Sequence, residues 1–167
     1  MAEFTTTSGQ TIARELLIAY LNTGTSSVPV WSPLGTRVED SEAEYDWSDE
    51  TVQDILGSTY TTLKKPTITQ TFDSYPLDAG DTALTYLWGL AVKDQDAQAL
   101  SAQDMLIVHY YADSNFAERY TACSVVPTSL GGEGGGNIET SIDVTYGGTR
   151  TTGTVTLSGT TPTFTEG

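Results

Sequence analysis

The chain has 167 residues, with 22 Asp and Glu against seven Lys and Arg, which gives a formal net charge of -15 at pH 7. A surface of this sign repels DNA, RNA and anionic lipid headgroups, so it argues against functions that must grip phosphates. No apolar segment approaches the ~20 residues that span a bilayer, which argues against a membrane protein. With 38% hydrophobic residues the chain can bury one ordinary core, and we expect a single domain over residues 1–167.

The first segments of the chain are predicted to be an arm and a β-hairpin. Residues 1–13 have no periodic pattern and lack the basic start and long apolar run of a secretion signal, so we expect an N-terminal arm and synthesis in the cytoplasm. Leu16, Leu17, Tyr20 and Leu21 fall at helical spacing. The "NTGTSS" break and the "VPVW" segment that follow nevertheless favour a hairpin.

A long acidic loop is predicted over residues 36–50, where seven carboxylates surround two large aromatic side chains. A solvated loop seldom carries two such aromatics, and burial against another chain would explain them. We expect this loop to be mobile in the isolated subunit and ordered on assembly. The residues expected at a subunit or ring interface are Glu44, Tyr45, Asp46 and Trp47.

The segment after the acidic loop is predicted to be extended, with a turn near Gly57. Beyond the turn, residues 67–72 alternate threonines with Ile68 and Phe72, as in a half-buried strand. Pro66 suggests an edge position or a bulge there. The basic pair Lys64 and Lys65 is too small for nucleic-acid binding, and we expect it to meet an acidic loop of a neighbouring subunit.

Residues 81–93 break the β pattern and predict one amphipathic helix. Asp81 is the expected N-cap, and Lys93 lies at the end that favours positive charge. Gly89 in the interior suggests a close approach of the helix to a strand. The apolar side of this helix is formed by Leu84, Leu87, Trp88, Ala91 and Val92.

Two further strands and a glycine-rich loop are predicted after the helix. Residues 105–111 are apolar on both faces, which indicates a central strand of its sheet. Residues 113–115 are typical of a turn, so the next strand should return as a hairpin. Residues 127–137 have no periodic pattern and are predicted to be a loop.

The clearest strand runs from residue 138 to residue 146. Its inward face is formed by Ile138, Ile142, Val144 and Tyr146. Its water-facing side chains are Glu139, Ser141, Asp143 and Thr145. Two glycines then break the strand, and the "RTTGTVTLSG" segment is predicted to return as the second arm of a hairpin. Residues 160–167 are expected to be a C-terminal arm.

No catalytic or cofactor-binding group stands out in the sequence. His109 is the single histidine and lies in an apolar strand, where a core or cross-strand role is expected, and Cys123 reads as a buried inert thiol. A paired-carboxylate site or Ca²⁺ ligation in the acidic loop is an alternative, but the EF-hand spacing is absent. The "GGEGGG" segment has neither a following Lys-Ser/Thr pair nor a helix, so we expect a hairpin tip and no phosphate cradle. We predict no enzyme, no cofactor and no metal.

The order of the short motifs resembles the major tail tube proteins of long, non-contractile-tailed bacteriophages. The resemblance covers about residues 12–165 and rests on "TVQDILG", a strand ending in "TQTFD", one helix opening on Asp, "DMLIVHYY", "AERYTACSVVPTSLGGEGG" and a closing hairpin with "GTVT". It implies a mostly β fold, a β-sandwich or half-barrel of antiparallel strands with one flanking helix. It also implies a virion protein that forms stacked hexameric rings, with tape measure, tail tip and tail terminator proteins as partners.

Such a tube would conduct double-stranded DNA without binding it tightly. Six copies would carry 6 × -15 = -90 charges, so a lumen wall built from this chain would repel the polymer and let it slide. The candidate lumen residues are Glu139, Ser141, Asp143 and Thr145, although an ordinary outer surface is an open alternative for them.

Two other functions are compatible with the sequence. One is a monomeric acidic β domain of a cell-surface or adhesive protein, against which the missing export signal argues. The other is a tube protein of a contractile tail, a bacteriocin or a type VI secretion system, because these tubes share the general fold implied by the resemblance.

Overall fold

The structure, a computed structural model, describes residues 4–167 and confirms a mostly β fold of antiparallel strands with a flanking helical segment. The strands are β1 (Leu17–Asn22), β2 (Trp31–Pro33), β3 (Ala43–Asp46), β4 (Glu50–Gln53), β5 (Thr59–Thr62), β6 (Thr67–Pro76), β7 (Gln103–His109), β8 (Phe116–Gly131), β9 (Glu139–Tyr146), β10 (Arg150–Ser158) and β11 (Thr161–Glu166). The helices are α1 (Thr82–Trp88), which continues as a π-helical turn (Gly89–Lys93), and α2 (Ala97–Leu100). A 3₁₀ turn at Arg14–Leu16 precedes β1.

The long strand β8 joins two sheets. Its first half pairs with β7 and β10, so the first sheet has the order β2-β1-β7-β8-β10-β11. Its second half, from Ser124 onward, pairs with β9, and the second sheet has the order β8-β9-β6-β3. Strands that pass from one sheet to another form the corners of sandwiches, so the predicted sandwich or half-barrel is confirmed.

The main core lies between the two sheets and the helical segment. Side chains such as Leu21, Phe72, Leu87, Met105 and Ile142 are buried there. A second cluster covers the opposite face of the first sheet, and its buried members are Tyr20, Trp31, Leu106, Val108, Ala117 and Val155. Because β7 contributes to both clusters, the prediction of a central strand apolar on both faces is confirmed.

The predicted helix and its cap are confirmed. The Asp81 carboxylate accepts a hydrogen bond from the Leu84 amide at 3.2 Å and a second from the Tyr75 hydroxyl at 2.6 Å. The predicted close approach at Gly89 is wrong, because a Cβ there would meet no atom within 4 Å. Gly89 lies instead where the α-helix changes to the π-helical turn.

Pro66 does not mark an edge strand. Strand β6 lies between β9 and β3, and Pro66 immediately precedes its first residue, Thr67. A proline before the first residue of a strand removes no ladder hydrogen bond from within it. The irregularity in β6 occurs further along, between Phe72 and Tyr75.

The predicted hairpin between β9 and β10 is wrong. Strand β10 pairs with β8 and β11 and belongs to the first sheet, whereas β9 belongs to the second. The crossing occurs at Gly148, whose φ is +78° and whose added Cβ would lie 2.6 Å from the Ala122 amide nitrogen. The two glycines therefore carry the chain past β8 from one sheet to the other.

Several segments predicted to be irregular are ordered strands in part. Residues 161–166 of the expected C-terminal arm form β11, and β8 extends to Gly131 within the expected 127–137 loop. The acidic segment 36–50 contains β3, which pairs with β6. In the N-terminal segment Phe4 bridges Ala112, while residues 1–3 lie outside the described residues.

Candidate assembly surfaces

The outer face of the second sheet is acidic and hydroxyl-rich. Residues directly paired across strands point to the same side of a sheet. Glu44 pairs with Thr69, and Thr69 pairs with Thr145, so these side chains share one face. The same alternation places on this face, which we call the acidic sheet face, the residues Glu44, Asp46, Thr67, Thr69, Thr71, Asp73, Ser124, Val126, Ser129, Gly131, Glu139, Ser141, Asp143 and Thr145.

The four lumen candidates therefore lie together on the acidic sheet face. Glu139, Asp143 and Thr145 are exposed, and Ser141 is half-buried because its hydroxyl donates a 2.9 Å hydrogen bond to Asp73. Ile138 precedes β9 and is 57% exposed, so its predicted core position is wrong, and Thr140 takes the inward position instead. Among the face's members there is no Lys or Arg to offer a phosphate.

The structure divides the predicted interface residues between two sides of the sheet. Glu44 and Asp46 join the acidic sheet face, whereas Tyr45 pairs with Ile68 and points to the opposite side. Tyr45 is nevertheless 46% exposed and Trp47 is 47% exposed, because β3 is the last strand of its sheet. Burial is the main cause that raises the pKa of Tyr45, and the nearby carboxylate of Glu118 adds to it.

Lys64 and Lys65 lie beside this sheet edge, just before β6 in the chain. The Lys64 amide donates a 3.0 Å hydrogen bond to the Trp47 carbonyl, and both lysine side chains are exposed. This bond closes the base of the segment between residues 47 and 64. The two lysines are thus placed at the root of a projecting hairpin, and what they contact on a neighbouring subunit remains a proposal.

That projecting hairpin, β4 and β5, is an exposed apolar element that the sequence did not single out. It forms its own two-stranded sheet and pairs with no other strand of the described chain. Ile55 is 101% exposed and Leu56 is 85% exposed at its turn. Val52 and Tyr60, which pair across the strands, are also exposed. The sequence signal was the pair of large aliphatics inside the "DILG" turn, where polar residues are the rule.

The turn of this hairpin is held in one conformation by Asp54. Its carboxylate accepts hydrogen bonds from the Leu56 amide, the Ser58 amide and the Tyr60 hydroxyl, each at 2.9 Å. Of these, the bond from the Ser58 amide contributes most to lowering the pKa of Asp54. Gly57 completes the turn at φ +82°. The two aliphatic side chains are therefore presented outward on a structured tip.

An apolar groove lies along the helical segment. It comprises two adjoining cavities of about 220 and 130 Å³. Trp88 and Val92 are each 40% exposed there, and Leu130 is 50% exposed. The groove is lined mainly by the apolar residues Leu77, Ala79, Leu84, Trp88, Ala91, Val92, Pro127 and Leu130, and its polar members are Asp78, Thr85, Ser129 and Thr140.

The buried polar groups of the first sheet form a structural network. Glu118 lies 2.9 Å from His109 Nε2 and accepts a hydrogen bond from Arg150 Nε at 2.8 Å. Burial alone would raise the pKa of Glu118, but hydrogen bonds from His109 and Arg150 hold it below its ordinary value. His109 is thus a cross-strand residue, as predicted. Burial also raises the pKa of the Cys123 thiol to about 11, which makes it unreactive.

The described residues contain neither a site for a metal nor a membrane-spanning helix. Within residues 4–167, no cluster of three or more His, Cys, Asp or Glu side chains is arranged to hold a metal ion. No helix in the same range is long and apolar enough to cross a bilayer. The surfaces that stand out are therefore the acidic sheet face, the hairpin and the groove.

No protein-family model and no curated protein sequence matches this chain. Among solved structures, it is similar to a chain of the sheath–tube complex of an extracellular contractile injection system, PVC, in the extended state. The TM-score is 0.50 at 11% identity, over 89% of this chain and 95% of that one. The two share a fold. This likeness concerns the fold alone.

Two further structures show weaker likeness. A chain of the anti-feeding prophage cap, the AFP tube-terminating cap, has a TM-score of 0.48 at 13% identity over 89% of this chain and 95% of that one. A chain of the PVC sheath/tube terminator in the extended state has a TM-score of 0.48 at 11% identity over 87% and 99%.

Proposed function

We propose that this chain is a structural subunit of a phage-tail-like tube, in which copies assemble into stacked hexameric rings around a channel. The observation that carries the proposal is the acidic sheet face on a fold shared with a chain of a sheath–tube complex. Carboxylates such as Glu139 and Asp143 line this face together with threonine hydroxyls. Facing a channel, they would repel DNA and displace no counterions from it.

The channel would let double-stranded DNA pass during ejection into a host cell. A wall that bound phosphates would slow the polymer at each ring, whereas a wall of the same sign as DNA keeps it away from the surface. We place Glu139, Ser141, Asp143 and Thr145 on this wall. The protein would reside in the tail of a virion and act with tape measure, tail tip and tail terminator proteins.

The exposed apolar surfaces support self-assembly as the other half of the proposal. Subunits with a net charge of -15 repel one another, so burial of apolar area has to overcome that repulsion. Tyr45, Trp47, Ile55 and Leu56 provide such area and are about half exposed or more. We assign Tyr45 and Trp47, with Glu44, Asp46, Lys64 and Lys65, to contacts between subunits.

We assign the tube to a long, non-contractile phage tail, on the resemblance of the motif order. The second candidate is a tube of a contractile particle, which is favoured by the likeness to a chain of a sheath–tube complex. Particles isolated from the source organism separate the two. A naked tube supports the non-contractile tail, and an outer protein layer around the tube supports the contractile particle.

Negative-stain microscopy of the concentrated protein tests the proposal. Hollow tubes or six-membered rings are expected, and sedimentation should show the same species in solution. A chain that stays monomeric at every concentration and salt level would contradict the tube and favour a monomeric acidic β domain.

A further inference from the structure

We infer that the β4–β5 hairpin inserts its tip, Ile55 and Leu56, into the apolar groove along the helical segment of a second copy of this chain. The contact rests on the proposed function, because a second copy must be present for the groove to be filled. It adds to that function a defined pair of contacting surfaces, with the hairpin on one subunit and the groove on the next.

The hairpin lacks packing partners within the described chain, yet its turn is well defined. A two-stranded hairpin without further sheet pairing is at best marginally stable in water, and this one pairs with no other strand of the described chain. Its tip nevertheless has a defined turn, held by the three hydrogen bonds to Asp54. A preformed turn loses little conformational freedom when its outward side chains are buried.

The groove has the complementary shape and chemistry. Its lining is mostly apolar, and Trp88, Val92 and Leu130 stay partly open to water although they adjoin the buried Leu84. Its two cavities, of about 220 and 130 Å³, adjoin one another, as two neighbouring aliphatic side chains would require. An apolar concavity with an exposed aromatic rim is the usual form of a site for aliphatic anchors.

The tip does not fill the groove of its own chain. Ile55 is fully exposed, so within residues 4–167 it packs against nothing. Four residues of strand project the tip by about 13 Å from the base at 3.3 Å per residue. A projection and a concavity at separate places on one chain give a heterologous contact, and such contacts repeat from copy to copy.

Charge bears on the surroundings of the contact. The hairpin carries Asp54 in its turn and Lys64 with Lys65 at its base, about 13 Å from the tip, whereas Asp78 lines the groove and Lys93 follows Val92. In a chain with only seven basic residues, the two lysines therefore reduce repulsion around the contact and not inside the groove.

Cysteine pairing between two different variants tests the contact. One variant carries Leu56→Cys and the other Val92→Cys, and the native Cys123 stays in place because it is buried. On mild oxidation we expect a disulfide-linked dimer when the two variants are mixed, and little with either alone. The matched control replaces Leu56→Cys by Val28→Cys, since Val28 is also an exposed aliphatic, at 69%, in another loop.

A double substitution at the tip, with a matched control, tests the contact without a cross-link. Ile55→Ser with Leu56→Ser should leave the fold intact and raise the concentration needed for assembly at least tenfold, whereas Val28→Ser should leave it unchanged. Normal assembly of the tip variant, or dimers of Leu56→Cys with itself, would overturn the inference while the tube proposal stands. Mixed cross-links without rings or tubes would support the contact and contradict the tube. No mixed cross-links between the cysteine variants, together with a wild-type chain that forms neither rings nor tubes, would contradict both.

Discussion

The rings of Tyr45 and Trp47 stack at the edge of the second sheet, with centroids 6.1 Å apart and 24° between their planes. Both rings are close to half exposed. Tyr45 lies in β3, which pairs with β6, and Trp47 follows directly after that strand, so the pair lies at a sheet edge. That the 36–50 segment is mobile before assembly and ordered on assembly stays a prediction.

Replacing both rings, Tyr45→Ala with Trp47→Ala, should block polymerisation and leave a folded monomer. Neither ring belongs to the two buried clusters, so the core loses little packing. Circular dichroism reports the fold, and sedimentation reports assembly. If the monomer unfolds, the pair belongs to the core, and if tubes form normally, the pair is no interface anchor.

Association of the purified chain should become stronger as salt rises. At 0.15 M ionic strength charges are screened beyond about 8 Å, which weakens the repulsion between acidic subunits. Light scattering across a salt series measures this. Assembly that is fastest at the lowest ionic strength would contradict the repulsion argument.

The wild-type chain should show no measurable affinity for duplex DNA, even at low salt, because it offers no cluster of cations for counterion release. Changing the acidic sheet face with Thr69→Lys, Thr71→Lys and Asp143→Lys should create weak, salt-sensitive binding. Fluorescence anisotropy with a labelled duplex measures both. Tight binding by the wild-type chain would remove the conduit proposal.

The buried hydrogen bond between Tyr75 and Asp81 should contribute more to the free energy of unfolding than an exposed hydrogen bond does. Tyr75→Phe leaves the buried Asp81 carboxylate without that donor and the Gly35 amide without the hydroxyl oxygen that accepts from it at 2.9 Å, so we expect a loss of about 1–3 kcal/mol in the free energy of unfolding. Urea denaturation measures the change. Asp96→Ala, which removes the exposed N-cap of α2, is the control and should cost less, within about 0.5–2 kcal/mol. Equal losses in the two variants would show that burial does not increase the contribution of this bond to stability.

Glu118 should make folding sensitive to acid. Its folded-state pKa is lowered below the ordinary 4.5, so its contribution to stability is complete above that value and is lost as the pH falls through the folded-state pKa. Glu118→Gln should therefore destabilise the chain at neutral pH and flatten the loss of stability below pH 4.5. Urea midpoints at several pH values measure this. Glu133→Gln, on an exposed residue, should leave the profile unchanged, and an unaltered profile in Glu118→Gln would contradict the assignment.

Local sequence patterns were enough to predict the faces of β9, the capped helix and the central position of β7. Alternation fixed the buried and exposed faces of β9, and an aspartate before an amphipathic run predicted the capped helix at Asp81. Apolar residues on both faces predicted that β7 is central. The net charge, read from composition, argues against a function that requires binding to phosphates.

The predicted hairpins β1–β2 and β7–β8 are confirmed, but the partner of β10 and the exposure of several side chains were decided only by the tertiary structure. Strand β10 has the alternation of a hairpin partner for β9, yet it pairs with β8, because Gly148 lets the chain cross closely over Ala122. A change of partner leaves the pattern within a strand unchanged, so the sequence could not reveal it. Likewise the "DILG" turn was readable as a turn, but the full exposure of Ile55 depends on the absence of any strand packed against its hairpin in the described chain. Which side of β3 faces the core, and hence that Glu44 and Tyr45 point in opposite directions, was set by its register with β6.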